Sequence, residues 1–452
     1  MSVEGALLTS GSVGRHLYHQ TLPMVIGILA LMSVGLLDAY FIGNLGKDPL
    51  TAVSFIFPVV FALSSLGVGV IAAIASVVSR ALGSGQKHKA QSLVALGIVA
   101  AGIFGIVITV LLLLFKRPLF EVMNASPDLL PLIDSYMTPF AFGFPMLLIN
   151  MGGNGALRAQ GMAGKASLIL MMMALVNLIL DPILIAGIGS FEGFGIKGAA
   201  YATVAGWTLA SILALVLIAR SPVGLNFSRL KEAHPGEDIR ALLRVGAPAA
   251  VSNSVNPVGL SIMTALLAKY GDAAVAGFGA GGRLQALAVV PLLALSSSIG
   301  GIVGQNWGAG YGDRARRALW MAIGFCVVYS LTAGALLVTW RESLATVFTD
   351  SPAVIDAIST YLMISVWGYA GFGALIVVNG AFNAIDRAYW ALGQSVVRVA
   401  LIMVPVAVGL SLVLESRSIY AAELIANLVG GLVAIVLGRA LLDDRWLPAR
   451  KS

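Results

Sequence analysis

Long apolar runs separated by short polar breaks govern the chain from end to end. Each run is about as long as the 20 residues a helix needs to cross a bilayer. The pattern predicts helical spans over 20–45, 50–79, 93–115, 130–157, 166–188, 198–219, 245–268, 275–303, 318–340, 357–384, 392–414 and 419–438. Little chain is left over for an extramembrane domain.

The runs repeat. A shift of 225 residues aligns Pro23 with Pro248, Gly46 with Gly271, and Gly83 and Gly85 with Gly308 and Gly310. The same shift pairs Tyr136 with Tyr361 and sets "NGA" at Asn154–Ala156 on "NGA" at Asn379–Ala381. The matches gather on Gly, Pro and Asn at helix ends, which is the signature of a duplicated unit. Six spans per copy is an even number, so both copies enter the membrane in the same orientation. The expected fold is therefore an all-α polytopic membrane protein of 12 transmembrane helices in two pseudo-symmetric six-helix bundles. The expected division is an N-lobe over 1–219, a basic linker over 220–244 and a C-lobe over 245–452. Two such bundles suit an alternating-access carrier, and a single chain suffices, so a monomer is expected.

Composition agrees: 58% of residues are hydrophobic and 11% charged, against roughly 25% charged in soluble proteins. The net charge of +7 has no basic, aromatic-interleaved stripe behind it, which argues against nucleic acid. With a cytoplasmic N-terminus, cytoplasmic segments hold 19 Lys/Arg and outer loops 7, while Arg283 and Arg398 lie within spans. The positive-inside rule then sets both termini in the cytoplasm of a cell (inner) membrane protein. The first twenty residues lack a secretory pattern, so the first span is expected to be retained. Cys326 is the only cysteine, which excludes an intrachain disulfide and a thiolate metal cluster.

An ionisable side chain at mid-membrane costs at least about 2.5 kcal/mol and so marks a functional candidate. Asp38 in the first span and Asp181 in the fifth each sit seven residues, about 10 Å, from the outer edge. Asn177 shares a helix face with Asp181, and Thr203 of the sixth span reaches a similar depth. Two carboxyls in a low dielectric do not both ionise cheaply. The four groups thus suit a proton, an organic cation or, through their oxygens, Na⁺. Interhelical hydrogen bonding alone is the competing reading. Pro182 after Asp181, and Pro23 fifteen residues before Asp38, remove backbone donors and suit either hinges or tolerated kinks.

The shift sets Met263 opposite Asp38 and Val406 opposite Asp181, so the chemistry is expected to be one-sided. Arg283, together with Asn154, Asn256 and Asn379, is a candidate for lining the cleft, and Arg398 is expected to snorkel to the cytoplasmic surface. "GFGAGG" at 277–282 lies within a span and predicts close helix packing rather than a dinucleotide loop. There is no HExxH, P-loop or GxSxG, so no cofactor, bound metal or hydrolase is expected.

The chain resembles the multidrug and toxic compound extrusion (MATE) transporters. The resemblance runs from "LPMVIGILALMSVGLLDAYFIGNLG" through "VNLILDPILIAGIG" and "GIKGAAYATVAGW" to "VGQNWGAGYGDRARRA". It implies two lobes about a V-shaped cleft and export of organic cations or amphipathic drugs driven by H⁺ or Na⁺. It also implies that Asp38, Asn177, Asp181 and Thr203 form the cation and substrate site, with Pro23 at the bend of helix 1. NorM-like members carry acids in helices 7 and 10, where this chain has Asn256 and no acid respectively. That departure favours the DinF-like branch and H⁺. The rival readings are a Na⁺-coupled exporter, a flippase for lipid-linked precursors, and an intramembrane enzyme acting on membrane lipids, for which the aspartates lie too deep and lack a basic partner.

Overall fold

A computed structural model describes residues 6–441, and the chain is almost wholly helical there. The basic residues Arg445, Arg450 and Lys451, counted above, lie outside this range. Helices are what lipid permits, because each backbone donor must be satisfied within its own segment.

The first half supplies α1 (Val13–Gly43), α2 (Lys47–Gly83), α3 (Lys87–Val122), α4 (Leu130–Ala159), α5 (Ala163–Ala186) and α6 (Ile196–Ala219). The second half supplies α7 (Pro235–Tyr270), then α8, a broken span made of Asp272–Ala288 and Val290–Gly308. It continues with α9 (Gly312–Thr339), α10 (Pro352–Ala384), α11 (Ala388–Leu414) and α12 (Arg417–Leu441). Eleven long apolar helices and one bent pair thus make the twelve spans. The helix of α7 begins at Pro235, inside the stretch expected to be linker, while Phe227–Glu232 forms only a 3₁₀ turn.

The break in α8 amounts to 45°. Pro291 removes one ladder donor, Leu292 N turns to the Val289 carbonyl at 3.0 Å, and the Tyr329 hydroxyl donates to the Ala288 carbonyl at 2.9 Å. The fifth span of each half carries a wide π turn, over Pro182–Ala186 and Val397–Met403. Such turns expose local backbone and often mark functional positions.

Buried side chains form two main cores. One gathers residues such as Ile74, Phe140, Phe144 and Ile218, and the other Leu292, Tyr361, Phe382 and Tyr420. The glycine cluster at 277–282 works as packing: methyls at Gly277 and Gly281 would overlap Ala357 and Tyr361 of α10.

The two halves are fastened along the end that carries the 220–234 stretch. Gln305 accepts from the Leu8 amide at 2.9 Å and donates to the Ala159 carbonyl at 2.7 Å. Ser76 donates to the Asn383 carbonyl at 2.5 Å, and Ser298 to the Gln20 carbonyl at 3.0 Å. The Arg158 guanidinium donates to the Ser297 carbonyl at 2.9 Å. Backbones also approach directly, since a methyl at Gly83 would overlap the Gln305 carbonyl and one at Gly308 the Arg80 carbonyl. Arg80 and Arg244 both reach Asp386, at 3.5 and 3.6 Å.

Candidate functional site

Asp38 of α1 and Asp181 of α5 face one another within hydrogen-bonding reach. Asp181 is fully buried and ends the regular part of its helix, immediately before the Pro182 π turn. Neither Asp181 oxygen accepts a bond from any donor among the described residues, nor does Asp38 Oδ1. A buried carboxylate without donors is strongly disfavoured. A proton shared across the pair, or a bound cation, removes that penalty.

The neighbours are polar but mostly committed. Asn177, 2% exposed, donates back to the Met173 carbonyl at 2.9 Å, and its Oδ1 accepts from Thr203 Oγ1 at 3.5 Å. Gly206 of α6 makes room for that amide, since a methyl there would press on it. Tyr136 of α4 lies near Thr203 and within electrostatic range of both carboxyls. The structure therefore brings together Asp38, Asn177, Asp181 and Thr203, and adds Tyr136. Its match with Tyr361 in the internal repeat was the available signal for it.

Pro23 lies about 22 Å along α1 from Asp38. Its carbonyl accepts from Ser167 Oγ of α5 at 2.5 Å, and Gly27, one turn on, packs on the same serine. The position is thus tied to α5, the helix that ends in Asp181.

Between the halves lies a cavity of about 500 Å³. Its polar wall includes Ser252, Asn253, Asn256, Asn379, Ser395 and Arg398, and Arg158 lines it too. These two arginines are its only charged lining residues among those described, and no carboxylate lines it. Of the cleft candidates, Asn256 and Asn379 line this cavity, whereas Asn154 and Arg283 do not. Asn154 is buried and donates to the Ala166 carbonyl at 2.9 Å, tying α4 to α5. Arg283 is exposed on α8.

Arg398 departs from expectation. It does not snorkel but is 3% exposed, because its guanidinium finds acceptors inside the protein. Nη1 donates to Asn427 Oδ1 at 2.7 Å and Nη2 to Asn256 Oδ1 at 2.5 Å, with the Phe372 ring 5.4 Å away. The C-lobe also buries a carboxyl. Glu423, near the start of α12, is 4% exposed. It accepts from Gln285 Nε2 at 2.7 Å and stands 3.1 Å from the Tyr361 hydroxyl.

The sequence profile described as MatE matches residues 23–183 and again 248–408. An FAD transporter of Shewanella oneidensis is 33% identical over 436 residues, covering 96% of each chain. The multidrug export protein MepA of Staphylococcus aureus is 24% identical, covering 95% of this chain and 94% of its own. A mutant of the Vibrio cholerae MATE transporter VcmN superposes with a TM-score of 0.90 at 27% identity, over 95% of this chain and 97% of that one.

Proposed function

The chain belongs to the MATE family of membrane transporters, which are not enzymes, and on that premise we propose that it is a proton-coupled exporter driven through Asp38 and Asp181. One observation carries this reading: a fully buried carboxyl, Asp181, side by side with the half-buried Asp38, and no donor between them. A single proton satisfies them, and its loss leaves a charge that an organic cation can neutralise. Proton from outside and substrate from inside therefore exclude one another. That exclusion is antiport.

In this reading both termini lie in the cytoplasm, the lobes are 1–219 and 245–452, and the fastened end is the closed inner gate. Pro23 is the bending point of α1, whose tie to Ser167 and α5 carries a change at the carboxyls along the lobe. The same oxygens with Asn177 and Thr203 would hold Na⁺ in the rival reading. Uptake of a fluorescent cation into inverted vesicles, with pH and sodium gradients imposed separately, decides between them. The pH gradient alone should drive uptake; uptake driven only by sodium would overturn the proposal.

A second reading of the substrate rests on the central cavity. Its charged lining is two arginines, and amides and hydroxyls fill the rest of its polar wall. That wall suits an anionic amphipathic molecule better than a cation, since guanidinium recognises phosphate and carboxylate. The relative named as an FAD transporter gives the class a concrete form: a flavin dinucleotide. Competition between FAD and an organic cation for binding to purified protein separates the two.

A further inference from the structure

The C-lobe contains a closed ring of polar contacts that counts its own protons. Gln285 of α8, Tyr361 of α10 and Glu423 of α12 touch pairwise: Gln285 to Glu423 at 2.7 Å, Tyr361 to Gln285 at 2.6 Å, and Tyr361 to Glu423 at 3.1 Å. Three hydrogen bonds require three bridging protons. The amide supplies one and the phenol one. Reversing the Gln285 amide changes the direction of the ring and not the count. Counting each contact as a hydrogen bond with its own proton assigns the third to Glu423.

We propose that Glu423 is a second proton-binding carboxyl, seated in the C-lobe, and that its charge governs Arg398 at the wall of the central cavity. The titratable and charged groups that face Glu423 are Tyr361, Tyr369 and Arg398. Tyr361 is fully buried and packed between Phe278 and Tyr420. Arg398 donates to Asn427, one turn along α12 from Glu423, and to Asn256 of the cavity wall. Its Nε has no acceptor, and Asn427 Nδ2 is likewise unpartnered. The guanidinium thus spans the distance between the ring and the cavity with bonding capacity to spare.

When Glu423 gives its proton to bulk water, a bare carboxylate remains in a low-dielectric interior. The nearest positive charge is Arg398. Drawing Arg398 toward α12 breaks its bond to Asn256 and takes positive charge away from the cavity. An anion in the cavity is therefore held while Glu423 is protonated and released when it ionises.

The internal repeat supports the assignment independently. Tyr136 and Tyr361 are repeat partners; each lies on the fourth span of its lobe and reaches the sixth, at Thr203 in one and Glu423 in the other. The second lobe thus has a carboxyl directly on its sixth span where the first has a hydroxyl beside two carboxyls.

The anion-release half rests on the anionic-substrate reading; the protonation half does not. Infrared spectra of the purified full-length protein carrying Asp38→Asn and Asp181→Asn should show a carboxylic-acid carbonyl band at neutral pH. Adding Glu423→Gln should remove it, and adding Tyr361→Phe should weaken it by opening the ring. A band unchanged by Glu423→Gln would overturn the proton assignment. With FAD as probe, wild-type affinity should fall about tenfold from mildly acid to mildly alkaline pH, within the range usual for coupled sites. Glu423→Gln should hold it constant. Affinity in the wild type that ignores pH would overturn the link to Arg398, whatever the infrared result, and an absence of FAD binding would count against the anionic substrate alone.

Discussion

Tyr136 and Tyr361 stand 225 positions apart and do the same thing twice: each sends its hydroxyl from the fourth span of its lobe toward a polar group on the sixth. In the N-lobe the phenol lies near Thr203 and within electrostatic range of the two aspartates; in the C-lobe it contacts Glu423 and Gln285. Under the 225-residue shift the tyrosines coincide and the carboxyls do not.

Asp38→Asn should reduce substrate-driven proton flux in proteoliposomes by about tenfold or more, equivalent to about 1.4 kcal/mol. Asp181→Asn should do the same. Both variants should fold, because the amide fills the same volume and supplies the donor the pair lacks. Full proton flux in Asp38→Asn would sink the N-lobe mechanism.

Pro23→Ala restores a backbone donor in the interior of α1. Such a repair commonly gains about 1–3 kcal/mol in a helix. Thermal unfolding should move upward while turnover falls, since the helix loses its bending point. Unchanged turnover would show that Pro23 is a tolerated kink.

Gly83→Ala inserts a methyl against the Gln305 carbonyl in the seam between the lobes. Overpacking of this kind costs about 1–3 kcal/mol. The cost falls only on the fastened state, so the population should shift toward the alternate one. Cys326 is fully buried, so a cysteine introduced at Asn253 can be labelled selectively. Its labelling rate from the fastened side should rise in the variant.

Gly281→Ala should disturb the C-lobe ring without touching a polar atom, since its methyl would overlap the Tyr361 ring. A stability loss of about 1–3 kcal/mol is expected. The Glu423-dependent infrared band should weaken with it.

Much of this was legible from residues alone. Twelve spans follow from run length, and the clustering of Asp38, Asn177, Asp181 and Thr203 follows from matched depth on three helices of the first bundle. The glycine cluster at 277–282 read correctly as packing because no strand precedes it. Arg398 did not, since an arginine near a helix end ordinarily snorkels, and only tertiary contact discloses acceptors at Asn427 and Asn256. Glu423 was hidden by its position, a few residues into the last span, where an acid reads as interfacial. Asn154 could not be placed from span membership, because rotation about a helix axis is fixed by neighbours, and its amide is turned to the Ala166 carbonyl of α5.

The seam between the lobes is written largely in backbone. Gly69 meets the Gly246 carbonyl, Gly83 that of Gln305, Gly301 that of Arg158 and Gly308 that of Arg80. Surfaces that meet this way have few interlocking side chains to withdraw, so they can separate and return without repacking a core. The side chains that do cross, Gln305, Ser76, Ser298 and Arg158, also bond to backbone groups, so the fit between the halves is set by main-chain atoms on at least one side of every such tie.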